Sequence, residues 1–255
     1  MWTESRSDRL RLQDGVNAHW RLTRIDATAP VGLPVLRDFA AAVRDGGLSI
    51  IALIERRAGS TRNLQRGAAS TGAFELSADA LVDASAAAYS DESGRSLEDL
   101  TSLRRALAIP LLRTEPVIGE FQVHESRWAG ADAVRLRADL LDPEELRDLI
   151  GECHSLGMAA VLSVREEAEL ARALESNADV VAIDARDPLT GGPSLFRARR
   201  MRAAVPAGRL TMAENAVQHR DELDALEKAG FDAVLIGAGR RDTSGDSRAW
   251  TALAV

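Results

Sequence analysis

The feature of this sequence that most restricts its fold is an alternation of short apolar runs with amphipathic helical segments, which begins near residue 47. Such alternation is typical of βα units, in which parallel strands form one sheet. The apolar runs predict eight strands: Ser49–Ile54, Ser85–Tyr89, Pro110–Leu112, Ala133–Leu136, Ala159–Val164, Val180–Ile183, Arg209–Met212 and Ala233–Ile236. Eight βα units in a chain of 255 residues predict an α/β protein with a single (β/α)8 TIM barrel.

A short repeat supports this count of strands. Gly130–Val134, Asn177–Val181 and Gly230–Val234 each carry Asp at the third position and Val at the fifth. The Gly or Asn that opens each copy suits the left-handed backbone conformation that ends a helix. Asp142 followed by Pro143 predicts the start of another helix, because Asp is a favoured N-cap and Pro suits the first helical position.

The chain divides into two predicted parts. Residues 1–46 precede the first strand and predict an N-terminal helical extension that closes the bottom of the barrel. Residues 47–255 form the barrel, and no linker indicates a second domain.

Composition excludes several classes of function. The net charge of −7 argues against a nucleic-acid partner, and no apolar stretch of membrane-spanning length is present. The single cysteine, Cys153, excludes an intramolecular disulfide and a site with several Cys ligands. The charged N-terminus has no apolar core of a signal peptide, so we expect a cytoplasmic protein.

Lysine is almost missing from the chain. Of the 32 basic residues, Lys228 alone is a lysine, and the rest are arginines. Codon or lineage bias explains this composition for the surface. The chemical consequence holds whatever the cause, because an arginine stays protonated and is a poor general acid or base.

Several segments, in the right order over residues 35–255, resemble indole-3-glycerol-phosphate synthase. Pro110–Glu115 resembles that family's Pro-Val-Leu-Arg-Lys-Asp, and Ile183–Asp187 resembles its Ile-Asn-Asn-Arg-Asp. Further similar segments are Arg37–Ala42, Ile51–Arg56, Gly94–Leu100, Gln122–Val134 and Ala213–Val217. The resemblance implies a barrel enzyme that closes an indole ring on a phosphorylated carboxyphenylamino sugar, with loss of carbon dioxide and water.

The resemblance also implies which residues carry that chemistry, and this chain departs from most of them. The family's first-strand Glu and Lys fall on Leu53 and Glu55, and its third-strand Lys falls on Thr114. Its fifth-strand Glu falls on Ser163. The first Asn of its sixth strand falls on Asp184, while its seventh-strand Glu is retained as Glu214. Loss of a general acid typically lowers a rate by about 10² to 10⁴.

The candidate site lies at the carboxyl ends of the strands, where barrel enzymes carry their chemistry. Glu214, Glu55 and Asp184 are the candidate catalytic residues, as acid and base, unless Arg113 and Arg186 pair with them. Arg135 and Arg137 share one face of the fourth strand, so they either line the interior and meet these carboxylates or lie nearer the end of the strand. The candidate substrate-binding residues are Arg113, Arg186, Asn215, Ser163, Thr114, Arg135 and Arg137, and the phosphate-binding candidates are Gly237, Ala238 and Gly239. No cofactor and no metal are predicted.

Three hypotheses for the function remain open. The first is a diverged lyase or cyclase that acts on a small anionic substrate, aromatic or phosphorylated, and is inefficient at the family's own reaction. The second is a non-catalytic barrel, a pseudoenzyme, that binds a ligand or a partner. The third is a genuine synthase of tryptophan biosynthesis, and the resemblance allows another biosynthetic enzyme as its partner.

Overall fold

The protein is a closed barrel in the computed structural model, which describes residues 32–44, 46–56, 84–91 and 96–237. Within those ranges, eight parallel strands pair in chain order and the eighth pairs with the first. The strands are β1 Ser49–Arg56, β2 Ala86–Asp91, β3 Leu111–Arg113, β4 Ala133–Arg137, β5 Ala159–Val164, β6 Val180–Asp184, β7 Leu210–Glu214 and β8 Ala233–Gly237. The predicted (β/α)8 TIM barrel is therefore confirmed.

Helices surround the sheet and connect its strands. They are α1 Phe39–Arg44, α2 Ser96–Ala106, α3 Glu120–Ala129, α4 Pro143–Ser155, α5 Glu167–Glu175, α6 Leu195–Arg202 and α7 Leu223–Lys228, with a 3-10 turn at Arg220–Glu222. None of the helices in the described ranges is long and apolar enough to cross a membrane.

Each strand is buried on both faces, which explains why the apolar runs are continuous rather than alternating. Side chains such as Val161 and Met212 fill the barrel interior, and their neighbours Leu162 and Ala213 pack on the surrounding helices. The alanine-rich β2 follows the same rule, because the alanines that open it are fully buried on alternating faces.

Helix α1 covers the amino-terminal end of the barrel. Phe39 and Val43 pack in the same cluster as Ile51 and Leu210 from the barrel interior. The hydroxyl of Ser49, at the start of β1, donates a hydrogen bond of 3.0 Å to the Ala42 carbonyl. The division into residues 1–46 and 47–255 stays a prediction, because residues 1–31 lie outside the described ranges.

The repeated aspartate has a structural role at this end of the barrel. Asp132, Asp179 and Asp232 each precede an even-numbered strand, and each accepts a hydrogen bond from a backbone N–H near the start of the strand before it. These bonds come from Leu111 (2.9 Å), Ala160 (2.8 Å) and Thr211 (2.7 Å). The repeat therefore connects β3 to β4, β5 to β6 and β7 to β8 at their amino ends.

The predicted helix boundaries are confirmed at three places and wrong at one. Gly130 (φ 96°) and Gly230 (φ 85°) adopt the left-handed conformation that ends a helix. Asn177 does not, because Ser176 leaves α5 in an extended conformation instead. Asp142 begins α4 with a reciprocal capping box, in which it accepts bonds from the Glu144 and Glu145 N–H groups.

Candidate functional site

Polar side chains collect where β4 to β7 end. Side chains of a strand alternate between its two faces. The interior residues Ala133, Val161, Ala182 and Met212 therefore lie on the same faces as the residues two positions later. Those later residues are Arg135, Ser163, Asp184 and Glu214. In the sheet, Asp184 lies directly beside Glu214, and Arg137 lies beside Ser163.

Glu214 is the most buried of these carboxylates, with 1% of its surface exposed. Its Oε2 atom accepts a bond of 3.1 Å from the Arg135 guanidinium, which reaches across the interior from β4. The same oxygen accepts a bond of 3.0 Å from the Ser163 hydroxyl. The expected meeting of a fourth-strand arginine with a carboxylate is therefore observed at Arg135. Two buried atoms of this pair, Glu214 Oε1 and Arg135 Nε, have no hydrogen-bond partner among the residues that the structure describes.

Asp184 is held by a second arginine, Arg165. Its Oδ2 atom accepts a bond of 2.8 Å from Arg165 Nε, and its Oδ1 atom accepts one of 2.8 Å from the Asn215 amide. The Arg186 backbone N–H adds a longer bond of 3.3 Å. Burial raises the pKa of Asp184, but Arg165 and the Asn215 amide outweigh burial and hold that pKa below its usual range.

The backbone at Asn215 makes its contact with Asp184 possible. Among the described residues other than glycine, Asn215 alone has a positive φ, of 49°. Asparagine tolerates the left-handed region better than most side chains. The turn after β7 thus directs the Asn215 amide toward the end of β6.

A third pairing extends the charged network along the rim. Both Arg137 Nε and its NH2 group donate to the carboxylate of Asp139, two residues further along the chain. The other neighbour of Asp139 is Arg165, whose NH1 atom lies 3.9 Å from Asp139 Oδ2. Arg137, Asp139, Arg165 and Asp184 therefore form a row of alternating charges.

Arg113, Thr114 and Arg186 do not join these pairings through their side chains. Arg113 is buried against α3, where its NH1 group donates to the Gln122 carbonyl (3.1 Å) and to the Ser126 hydroxyl (2.9 Å). The Thr114 hydroxyl donates a bond of 2.7 Å to the Tyr89 carbonyl. Arg186 is exposed. Among the described side chains, Arg135 and Arg165 hold the two carboxylates, while Arg186 contributes its backbone N–H and a nearby positive charge to Asp184.

Other predicted residues lie outside the described part of the chain, wholly or by their side chains. Ala238 and Gly239 follow the last described residue, Gly237, which ends β8 and pairs with Leu53 of β1. The backbone of Glu55 pairs with Ser90, but its side chain is outside the described set. The proposed phosphate-binding role of Gly237–Gly239 therefore stays a prediction.

Two residues of this network, Arg165 and Asp139, were not predicted from the sequence. Arg165 follows Ser163 by two positions and Asp139 follows Arg137 by two. Side chains alternate between the two faces of a strand. Continuing this alternation past the last apolar residue of each strand places both residues on the interior face. The apolar runs alone end β4, β6 and β7 at Leu136, Ile183 and Met212, whereas the strands continue to the polar residues Arg137, Asp184 and Glu214.

Neither a lysine nor a metal-binding cluster accompanies this network. Lys228 is exposed at the end of α7, just before β8 begins, and so lies at the amino-terminal end of the barrel. In the portion of the chain with described coordinates, no group of three or more His, Cys, Asp or Glu side chains is arranged to hold a metal ion.

The barrel alone is shared with many enzymes. The N-acetylmannosamine-6-phosphate 2-epimerase of Clostridium perfringens is similar to 84% of this chain and 95% of its own, with a TM-score of 0.59 and 12% identity. At this identity the similarity shows the fold only.

Sequence comparison is more specific than the fold. A model of the indole-3-glycerol phosphate synthase family matches residues 82–245. The indole-3-glycerol phosphate synthase of Mycobacterium ulcerans is 35% identical over 89% of this chain and 84% of its own length. Indole-3-glycerol phosphate synthase 2 of Streptomyces coelicolor is 35% identical over 85% of this chain and 83% of its own. Because the family model and relatives of 35% identity match most of this chain, it belongs to the indole-3-glycerol phosphate synthase family.

Proposed function

We propose that the protein binds a small anionic ligand at the carboxyl end of its barrel and converts the family's substrate slowly or not at all. The observation that carries this proposal is the pairing of both described strand-end carboxylates with arginines, Glu214 with Arg135 and Asp184 with Arg165. Asp184 held in this way is a poorer proton acceptor than a free aspartate, because Arg165 and Asn215 hold its pKa below the usual range despite burial.

The loss of the family's acid supports a low rate. The resemblance assigns a lysine ammonium to the position of Thr114, and the hydroxyl of Thr114 already donates to the Tyr89 carbonyl. The only lysine, Lys228, lies at the other end of the barrel. No described side chain at the strand ends therefore replaces the ammonium as proton donor.

The arginines of the site support an anionic ligand. Arg135, Arg137 and Arg165 equal Asp139, Asp184 and Glu214 in number, so the described network is locally neutral although the whole chain has a net charge of −7. Arginine also binds carboxylates and phosphates with two parallel hydrogen bonds. The site thus favours a ligand with carboxylate or phosphate groups.

Turnover of the family's substrate is the second candidate function, and one observation favours it. Glu214, the glutamate that the resemblance assigns to this position, keeps a buried oxygen, Oε1, with no hydrogen-bond partner in the described ranges. That oxygen is the described carboxylate atom best placed to accept a proton. The identity to synthases over most of their length points in the same direction.

Binding and turnover measured on one preparation separate the two candidates. The full chain is mixed with the phosphorylated carboxyphenylamino deoxyribulose, binding is followed by calorimetry and product by indole absorbance, and the Mycobacterium ulcerans relative is assayed alongside. We expect measurable binding with turnover lower by about 10² to 10⁴ than that of the relative. Turnover equal to the relative's would contradict the proposal and establish a synthase, while no binding would also contradict it.

A gain-of-function variant provides the control for this assay. Glu55→Lys combined with Thr114→Lys restores both ammonium groups that the resemblance assigns, and we expect it to turn the substrate over faster than the native chain. The matched control is Arg147→Lys on the outer helix α4, which adds a lysine away from the strand ends and should leave the rate unchanged. A double variant no faster than the native chain would show that the missing lysines do not limit the rate.

A further inference from the structure

The backbone of Arg165 is bonded to side chains of two helices. It follows β5 directly, its N–H donates to Glu169 Oε2 at 2.6 Å, and its carbonyl accepts from Arg197 NH2 at 2.6 Å. The first bond comes from the start of α5 and the second from α6, so two helices hold this backbone in place. The side chain therefore begins from a preorganised position.

Among the described residues, the guanidinium of Arg165 is hydrogen-bonded only through its Nε atom. Its Nε atom donates to the buried carboxylate of Asp184 at 2.8 Å, and Asn215 in turn fixes that carboxylate. Asp139 is the other acidic neighbour, but its oxygens already accept two bonds from Arg137 and stand 3.9 Å from Arg165 NH1. A separation of 3.9 Å is too long for a hydrogen bond.

The terminal nitrogens of Arg165 therefore make no hydrogen bond within the described part of the chain, and 41% of the side chain is exposed. Burial lowers the pKa of Arg165, but Asp184, Asp139 and Glu169 outweigh it and raise that pKa, so the group stays charged. A charged guanidinium that is held at Nε and free at its two terminal nitrogens presents a flat, two-pronged donor edge. Such an edge suits an oxyanion that accepts two parallel bonds.

We propose that Arg165 is the oxyanion-binding residue of this site and that it selects ligands carrying a carboxylate or phosphate group. This proposal rests on the proposed binding function and deepens it. Asp184 and Asn215 act as positioning residues, since they hold the Nε side of the guanidinium and leave its outer edge to the ligand. Arg113, Arg135 and Arg137 each have a terminal guanidinium nitrogen bonded within the protein, and Glu214 is an acceptor, so none of these four supplies the same edge.

A set of three probes identifies the group that Arg165 binds. The probes are the phosphorylated carboxyphenylamino deoxyribulose, its counterpart without the carboxyl group, and its counterpart without the phosphate. Calorimetric Kd values are compared for the native chain, Arg165→Gln, and the matched control Arg147→Gln on the outer face of α4. Loss of a charge-assisted hydrogen-bond pair should weaken binding of the complete compound about tenfold or more in Arg165→Gln, and the control should bind like the native chain.

The pattern across the probes decides the proposal. If the effect of Arg165→Gln disappears for the probe without carboxyl, Arg165 binds the carboxylate; if it disappears for the probe without phosphate, Arg165 binds the phosphate. An equal effect on all three probes, or none, overturns the proposal for Arg165 while native binding keeps the proposed function intact. If the native chain binds none of the probes, the proposed function itself is wrong.

A conservative variant tests whether weaker binding by Arg165→Gln reflects a structural change rather than the loss of a ligand contact. Arg165→Lys keeps the positive charge but loses the two-pronged edge, and a lysine is not interchangeable with arginine at a bidentate site. We expect it to fold with an unchanged melting temperature and to lose most of the discrimination between probes. Full discrimination by Arg165→Lys would contradict a bidentate role for the arginine.

Discussion

Asp184 illustrates at the residue scale how burial and local charge compete. Removal from water disfavours its ionised form, yet the Arg165 guanidinium and the Asn215 amide favour that form more strongly, so the pKa of the folded carboxyl lies below its usual range. An aspartate that is easier to ionise in the folded state than in the unfolded chain stabilises the fold when ionised. Its contribution is present above the unfolded pKa, about 3.9, and is lost as the pH falls through the lower folded pKa.

The first prediction follows from that linkage. The difference in free energy of unfolding between the native chain and Asp184→Asn should be constant near neutral pH and should shrink as the pH is lowered from about 4. Urea denaturation at a series of pH values measures the difference, with Asp148→Asn on the surface of α4 as control. A difference that grows on acidification would contradict the pKa direction and its cause.

At the scale of elements, the barrel depends on bonds between consecutive strands at their amino ends. Asp232, just before β8, accepts from both the N–H (2.7 Å) and the hydroxyl (2.9 Å) of Thr211 in β7. Thr211 is fully buried, so water cannot replace the aspartate as acceptor without a rearrangement. Parallel strands are not joined by a tight hairpin that could set their register. Side-chain bonds of this kind therefore help to fix where neighbouring strands begin.

The second prediction concerns this strand connection. Asp232→Ala should lower the free energy of unfolding by about 1 to 3 kcal/mol, since it leaves the buried N–H of Thr211 without an acceptor. Chemical denaturation measures the loss, and Asp224→Ala on the exposed side of α7 serves as the matched control. A loss no greater than that of the control would mean that the repeated aspartate is not a structural bond of the barrel.

At the scale of the whole molecule, the single cysteine reports on opening of the packed helix layer. Cys153 lies on the inner face of α4, fully buried in the cluster between the sheet and the helices. Burial, with smaller contributions from Asp179 and Glu152, raises the pKa of its thiol to about 12. Only the thiolate reacts readily with disulfide reagents, and native packing also denies such reagents access.

The third prediction is that Cys153 is nearly inert in the native protein at pH 8 and reacts fully in denaturant. Labelling with a chromogenic disulfide should follow the opening of α4 from the barrel, so that its rate rises along the unfolding transition. Asp232→Ala should react faster than the native chain because it is less stable, whereas Asp224→Ala should not. Rapid labelling of the native chain would contradict the packed position of α4.

The sequence determined the architecture of this protein because buried strands and helices place apolar residues at spacings that can be recognised along the chain. Apolar runs such as Val180–Ile183, bounded by helix ends and caps, predicted the strands and hence the barrel. Glu214 and the near absence of lysine also led to the prediction, still to be tested, that its site differs from that of its family.

The tertiary structure alone decided which charges meet. Arg135 and Glu214 are far apart in the chain, and their contact depends on the curvature of the closed sheet, which lets side chains of β4 and β7 meet across the interior. Arg113 and Arg165 each follow or end a strand, yet the first turns toward α3 and the second toward Asp184. A sequence gives the spacing of side chains along a strand, but the partner of a charge is set by distances across the barrel, and these exist only once the sheet has closed.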